Sequence, residues 1–376
     1  MSQRAGALKA AGRRILDFSV GEPDQGTPAP IVEAAVAALH AGRTRYAPAA
    51  GLPELRASVA RRYAATDHVS FAPEEVGITV GGKQALYLAC QALLDPGDDA
   101  VVPSPYWPTF AEAVRLAGGR PVFAEAREKD GFRVTARLVS RVLTRKTRAV
   151  IVNSPSNPTG AMIEPRELLA LARLARRRRF TILYDDTYGR LAFGAANPRL
   201  QAVRDIAGDR FIVIGTASKT YCMTGWRIGW VLGPKTVVDA CAALVSHSTQ
   251  CPTTFVQVAA AQALDGPQDG VLTMAAEYRR RRDWIHPALT AMPGITCVLP
   301  EGGFYVFPNL GRYLSPEVPT TLALCARLLE KEGVALVPGE GFGAPGYARL
   351  SFARPIEELR EGVDRLATFL GGLVLG

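Results

Sequence analysis

Short apolar, strand-like runs alternate with helix-like segments through the middle of the chain, and this rhythm constrains the fold more than any other feature. EEVGITV precedes KQALYLACQALL, and DDAVVPS precedes TFAEAVRLAG. RPVFAEA, RAVIVNSP, the helix-like PRELLALARLARRR, FTILYDD, RFIVIGTAS and GWRIGWVLG continue the pattern. Strands that alternate with helices in this way build an α/β sheet. The unbroken apolar character of FTILYDD marks a strand buried on both faces. Polar loops after such strands lie at the carboxyl ends, where open α/β sheets bind ligands, so a functional site is expected there.

From about Thr249 the pattern shifts to longer helical stretches, including PQDGVLTMAAEYRRRRDWIHPAL, then GITCVLP, GGFYVFPNL, a helix and the strand YARLSFA. This predicts a smaller α+β domain. The turn-rich GEPDQGTP and the helix IVEAAVAALHAG, ended by Gly42, are expected to pack with it. The expected divisions are an N-terminal segment 1–44, a large domain 45–275 and a small domain 276–376, within a length that can bury more than one core.

No apolar run approaches the roughly 20 residues of a membrane helix, and MSQRAGALKAAGRR lacks the apolar stretch of a secretory signal. A cytoplasmic protein without a membrane partner is expected. The six cysteines lack CxxC spacing and paired histidines, which argues against a metal site and a disulfide framework. The net charge is +9, and the runs Arg176–Arg179 and Arg279–Arg282 sit in helix-like stretches and read as solvated helix faces; no nucleic-acid-binding signature accompanies the charge, so a nucleic-acid partner is not expected. A positive field also suits a phosphate cofactor and carboxylate substrates.

Lys219 follows the strand FIVIG in the loop TASKT. Alone it reads as a surface lysine. Thr216 and Ser218 precede it, and Arg227 follows in TGWRIG. That company suits an aldehyde cofactor bearing a phosphate: the amine forms an imine, while the hydroxyls and guanidinium bind the phosphate. Asp185 ends the strand FTILYD, where an acid is costly unless paired. Beside a pyridine nitrogen it would keep the ring protonated and electron-withdrawing. Tyr188 and the side-chain amide of Asn157, in NSPSNPTG, could donate to the ring's phenolic oxygen. The prolines and glycine of that octet alone read as a turn.

In order along the chain stand GEPDxxTP, YxPxxGxPELR, TVGGKQAL, DPGD, SPYW, NSPSNPTG, the strand-end aspartate with its tyrosine, SK, TGWRIG, GGFYVF, VPG and RLSFA. The ordered set resembles the class I aminotransferases of pyridoxal-phosphate fold type I, closest to the bacterial aspartate aminotransferase subgroup with lysine in GGKQ. The resemblance implies a large domain with a mainly parallel seven-stranded sheet between helices, a smaller α+β domain, and pyridoxal 5'-phosphate as cofactor. It makes Lys219 the imine-forming base, Asp185 the pyridine-nitrogen partner, and Tyr188 and Asn157 the ring-oxygen partners. Trp107 is implied to lie on the ring face. The phosphate is implied to rest on Gly82, Lys83, Thr216, Ser218 and Arg227, at a helix amino end. Arg349 is implied to grip the substrate α-carboxylate with a fixed fork, with the Gly21 backbone as second contact.

Tyr46 is similar to the tyrosine that this family contributes across a homodimer, which implies composite active sites. The chain departs from the pattern at Gln25 and Gly26, where relatives carry an aromatic and an acid, and at Thr216 and Ala217 before SK. The first change is expected to alter the substrate pocket. The implied reaction is ping-pong transfer of an amino group between an L-amino acid and a 2-oxo acid. Lys83 points towards aspartate with 2-oxoglutarate if it reads a distal carboxylate. The resemblance makes prephenate a further alternative that such a lysine would also suit; if Lys83 touches only phosphate or solvent, an aromatic or broad-specificity enzyme is the alternative. A fold-type I lyase or cyclopropane-carboxylate-type synthase would share Lys219, Asp185 and Arg349. A cofactor-binding regulatory protein fused to a DNA-binding domain is opposed by the lack of an added domain before GEPD.

Overall fold

The computed structural model describes residues 2–194 and 200–374. Seven strands form the central sheet: β1 (Val76–Thr79), β2 (Asp99–Ser104), β3 (Arg120–Glu125), β4 (Thr147–Asn153), β5 (Thr181–Asp185), β6 (Phe211–Thr216) and β7 (Gly229–Leu232). Their spatial order is β1-β7-β6-β5-β4-β2-β3. All run parallel except β7, which is antiparallel to both β1 and β6. The carboxyl ends of the six parallel strands therefore share one edge of the sheet.

The apolar runs of β5 and β6 are buried along their whole length, as strands between two helical layers must be. Successive side chains point to opposite faces. Ile182 and Val213 accordingly enter one core with Leu55 and Val59, while Leu183 and Ile212 enter another with Leu86 and Ala89. Each such aliphatic side chain contributes about 1.5–3 kcal/mol on burial. Helix Gly82–Leu93 leaves the end of β1 and buries Ala85, Leu86, Leu88, Ala89 and Cys90. Helix Pro165–Arg178 starts with proline in its first turn and buries Leu168, Leu171, Ala172, Leu174 and Ala175. Its terminal arginines, Arg176–Arg179, are exposed, where positive charge suits the carbonyl end of a helix.

A third core holds Phe304, Val306, Leu324, Leu350 and Leu359, with Leu16 and Phe18 from the N-terminal segment. It carries a three-stranded antiparallel sheet, Val337–Pro338, Ala348–Ser351 and Tyr305–Val306. Residues 2–44 divide between the cores. Leu16–Asp17 pairs in parallel with Val334–Ala335. Helix Ala29–His40, by contrast, buries Ile31 and Ala35 in the same core as Leu52 and Leu55, because its apolar stripe rests on helix Thr254–Asp265. The arginine run on helix Asp269–Thr290 also departs from expectation. Arg281 and Arg282 are only 7% and 8% exposed. Arg281 pairs with Asp24 at 2.8 Å and with Glu277 at 2.8 Å, and Arg282 donates to the Pro300 carbonyl at 3.0 Å. Paired charges can be buried; the run is a solvated face only at Arg279 and Arg280. Among the described residues no helix is long and apolar enough to cross a membrane.

Candidate active site

A cleft of about 510 Å3 opens at the carboxyl edge of the sheet, between it and the C-terminal core. Gly21, Gly82, Lys83, Trp107, Asn157, Asp185, Tyr188, Thr216, Ser218, Lys219, Arg227 and Arg349 line it. Tyr46 does not: its side chain stands on the surface, 83% exposed. Glu22, Asn153, Thr187, Thr224, Gly225 and Tyr305 complete the lining. Sequence reasoning did not single these six out. Five lie inside or beside motifs it used, in GEPD, NSPSNPTG, TGWRIG and GGFYVF, and Thr187 lies between the strand-end acids and Tyr188.

At one end of the cleft, hydrogen-bond donors cluster. Gly81 adopts φ 83° at the start of helix Gly82–Leu93, and no side chain caps the first-turn amides of that helix. A Cβ on Gly81 would stand 2.5 Å from Arg227 Nη2, and one on Gly82 would stand 3.3 Å from Thr216 Cβ. The helix start therefore lies against the Arg227 guanidinium and the Thr216 side chain. Thr216 Oγ1 lies 2.9 Å from Ser218 Oγ and accepts the Ser218 amide at 3.1 Å. Arg227, itself at φ 55°, is steadied by Nη1 donating to the Thr224 carbonyl at 2.8 Å.

Asp185 lies at the end of β5, 5% exposed. Its carboxylate accepts the Thr187 amide at 2.9 Å, and no cationic side chain among the described residues pairs with it. Burial pushes its pKa from the ordinary 3.8 up to about 6. β4 fixes the neighbouring loop: Asn153 pairs with Asp185 in the sheet and its Oδ1 accepts the Asn157 amide at 2.7 Å. Across the cleft, Tyr188 Oη and Tyr305 Oη lie 3.1 Å apart, both buried.

Lys219 Nζ donates to the Gly21 carbonyl at 2.6 Å. Burial lowers its pKa from 10.5 to about 8; Arg227, Arg349 and Lys83 push the same way, while Glu22 opposes. Arg349, 7% exposed, donates from Nη1 to Asn157 Oδ1 at 3.0 Å and from Nη2 to the Ser19 carbonyl at 2.8 Å. Its buried Nε has no partner among the described residues. Lys83 Nζ rests 5.1 Å from the centre of the Trp107 ring.

The family model for aminotransferases of class I and II matches residues 13–366. The chain belongs to this family. It is 40% identical over 379 residues to an aspartate aminotransferase of Geobacillus stearothermophilus, covering 98% of this chain and 95% of that protein. It is 42% identical over 374 residues to an aspartate/prephenate aminotransferase of Thermus thermophilus, covering 99% and 95%. Among solved structures it resembles a Thermus thermophilus aspartate aminotransferase with maleate, with a TM-score of 0.93, 40% identity, and coverage of 98% and 95%. The enzyme is thus a fold type I aminotransferase dependent on pyridoxal 5'-phosphate. The residues present fit that group: clustered amides, hydroxyls and a guanidinium suit a phosphate dianion, and a buried carboxylate with no cation suits a pyridinium.

Proposed function

We propose that this aminotransferase moves the amino group of a dicarboxylic amino acid, L-aspartate, to 2-oxoglutarate. In this reading the Gly82 and Lys83 amides, Thr216, Ser218 and Arg227 hold the cofactor phosphate. Asp185 holds the pyridine nitrogen, Tyr188 and Asn157 the phenolic oxygen, Trp107 the ring face, and Lys219 the aldehyde carbon. Bound there, the cofactor supplies the electron sink on which an amino group is exchanged. The chain's own residues do the rest. Arg349 and the Gly21 backbone orient the α-carboxylate, so that the α-hydrogen faces Lys219. Lys219 Nζ, whose burial favours the neutral amine, would take the proton from the substrate α carbon and hand it to the cofactor carbon that carried the aldehyde. Each product leaves before the second substrate enters, which gives ping-pong kinetics.

The observation that carries the acidic substrate is the position of Lys83. Its ammonium lines the same cleft as Lys219 and Arg349 and lies against Trp107, with no ion pair among the described residues. A substrate gripped by Arg349 at one carboxylate can offer it a second. Aspartate in the names of the relatives supports this reading, and prephenate, named for the Thermus relative, meets the same two-carboxylate demand. We further propose a homodimer in which Tyr46 of the partner subunit completes the phosphate site; its exposure away from its own cleft supports this. Six free thiols support the reducing cytoplasm as its compartment.

The test is to add L-aspartate, then L-phenylalanine, to the yellow holoenzyme and follow its visible absorbance. Conversion at far lower aspartate concentration is expected. A preference for phenylalanine would replace the acidic-substrate reading with the aromatic one, and no conversion by either would favour a lyase.

A further inference from the structure

Tyr305 occupies a position between the two halves of the proposed site and uses both of its surfaces. Its ring face lies under the Arg349 guanidinium, with Cζ 4.3 Å from the ring centre. Its hydroxyl lies 3.1 Å from that of Tyr188. The same hydroxyl touches the Gly21 backbone, since a Cβ on Gly21 would stand 2.6 Å from it. Tyr305 is 1% exposed, so water does not compete for these contacts.

We propose that Tyr305 is a positioning residue that couples the two sites. Its ring seats the arginine that grips the substrate α-carboxylate, and its hydroxyl orients Tyr188 towards the cofactor's phenolic oxygen. This rests on the reading that Tyr188 meets that oxygen. An anion outcompetes a neutral hydroxyl for the Tyr188 proton, so a Tyr188 hydroxyl that donates to an anionic oxygen can only accept in its 3.1 Å contact with Tyr305. Tyr305 is then the donor, giving a chain from Tyr305 through Tyr188 to the phenolic oxygen, in which each hydrogen bond strengthens the next. The charged groups acting on the pair are Arg349 and Glu22 on Tyr305, and Arg349 and Asp185 on Tyr188. Burial raises both phenols above their usual range, so both keep their protons at working pH and can donate.

The variants Tyr305→Phe, Tyr305→Leu and Tyr188→Phe separate these roles, with thermal unfolding as a check on folding. The readout is the pH midpoint at which the holoenzyme's visible absorption changes, together with KM for L-aspartate. Losing one donor leaves the phenolic oxygen less stabilised as an anion, so Tyr305→Phe is expected to raise the midpoint by about half a unit, and Tyr188→Phe by more. Tyr305→Leu is expected to give the midpoint of Tyr305→Phe, with a KM roughly tenfold higher than that variant because the guanidinium loses the nearer of its two aromatic neighbours and keeps only Phe342, whose ring centre is 5.1 Å from Cζ. A midpoint that moves in Tyr188→Phe but not in Tyr305→Phe overturns the coupling and leaves the cofactor reading standing. A midpoint unmoved in both overturns the coupling together with the role given to Tyr188. Equal KM in Tyr305→Leu and Tyr305→Phe overturns the seating of Arg349.

Discussion

Arg349 Nη1 donates to Asn157 Oδ1 at 3.0 Å across 192 residues of sequence, tying the small antiparallel sheet to the loop that leaves β4. The bond holds the guanidinium plane in place before any ligand arrives, with Ser19 fixing its other arm. A carboxylate therefore meets a fork that needs no further ordering.

Arg349→Lys keeps the charge and loses the fork. It is expected to lower kcat/KM for L-aspartate by roughly 100-fold or more, from the loss of one or two charge-assisted hydrogen bonds. The cofactor's affinity, measured by absorbance titration, is expected to stay within about threefold, because the guanidinium fork addresses the substrate.

Lys83→Met removes the cation beside Trp107 and leaves its aliphatic bulk. Loss of one ion pair to the distal carboxylate is expected to reduce kcat/KM for L-aspartate by roughly 30-fold, and to change that for L-phenylalanine by less than about threefold. Steady-state kinetics on both substrates checks this. Equal losses on the two would show that Lys83 serves the phosphate instead.

Asp185 yields a prediction whose sign reverses with the cofactor. Its carboxyl holds its proton more tightly in the folded chain, to about 6, than in the unfolded chain, at 3.8. The relative stabilisation this gives is present below 3.8 and is lost as pH rises through 6, so at neutral pH the cofactor-free fold bears a buried charge costing up to about 3 kcal/mol. Asp185→Asn is therefore expected to raise the Tm of the cofactor-free enzyme by about 2 °C at pH 7.5, with the gain narrowing towards pH 5. In the holoenzyme the same change is expected to lower kcat by at least about 100-fold, because the pyridine nitrogen loses its anionic partner. Calorimetry and rate measurements on one preparation read both effects.

Tyr46→Phe tests the composite site. Loss of a hydrogen bond to phosphate is expected to weaken cofactor binding roughly tenfold. Light scattering is expected to give a mass twice that of one chain. A monomer whose cofactor affinity ignores Tyr46 would overturn the shared site, since this side chain is 83% exposed and lines no part of its own cleft.

Much of the site was legible in the sequence for one reason. Parallel strands deliver their following loops to a single edge, so Asn157, Asp185 and Lys219 could be placed at that edge from strand periodicity and their own chemistry before any contact was known, while Gly82 and Trp107 came from motif likeness. The strand-end acid and the lysine after β6 carried their chemistry in their own local context. Arg349, Gly21 and Lys83 came from motif likeness, and their setting in the cleft did not follow from local pattern.

What only the tertiary structure decided is which side chains meet across the seam between the cores. Lys219 reaches the Gly21 carbonyl over 198 residues, and Tyr305 slides under Arg349 and against Tyr188. An arginine run that reads as a solvated face turns Arg281 inward to Asp24. Helix and strand periods specify which face of an element is apolar. They carry no information on which polar group from a distant segment will satisfy a buried one. That choice depends on how the two cores dock, where each buried donor and acceptor must find a partner or a ligand.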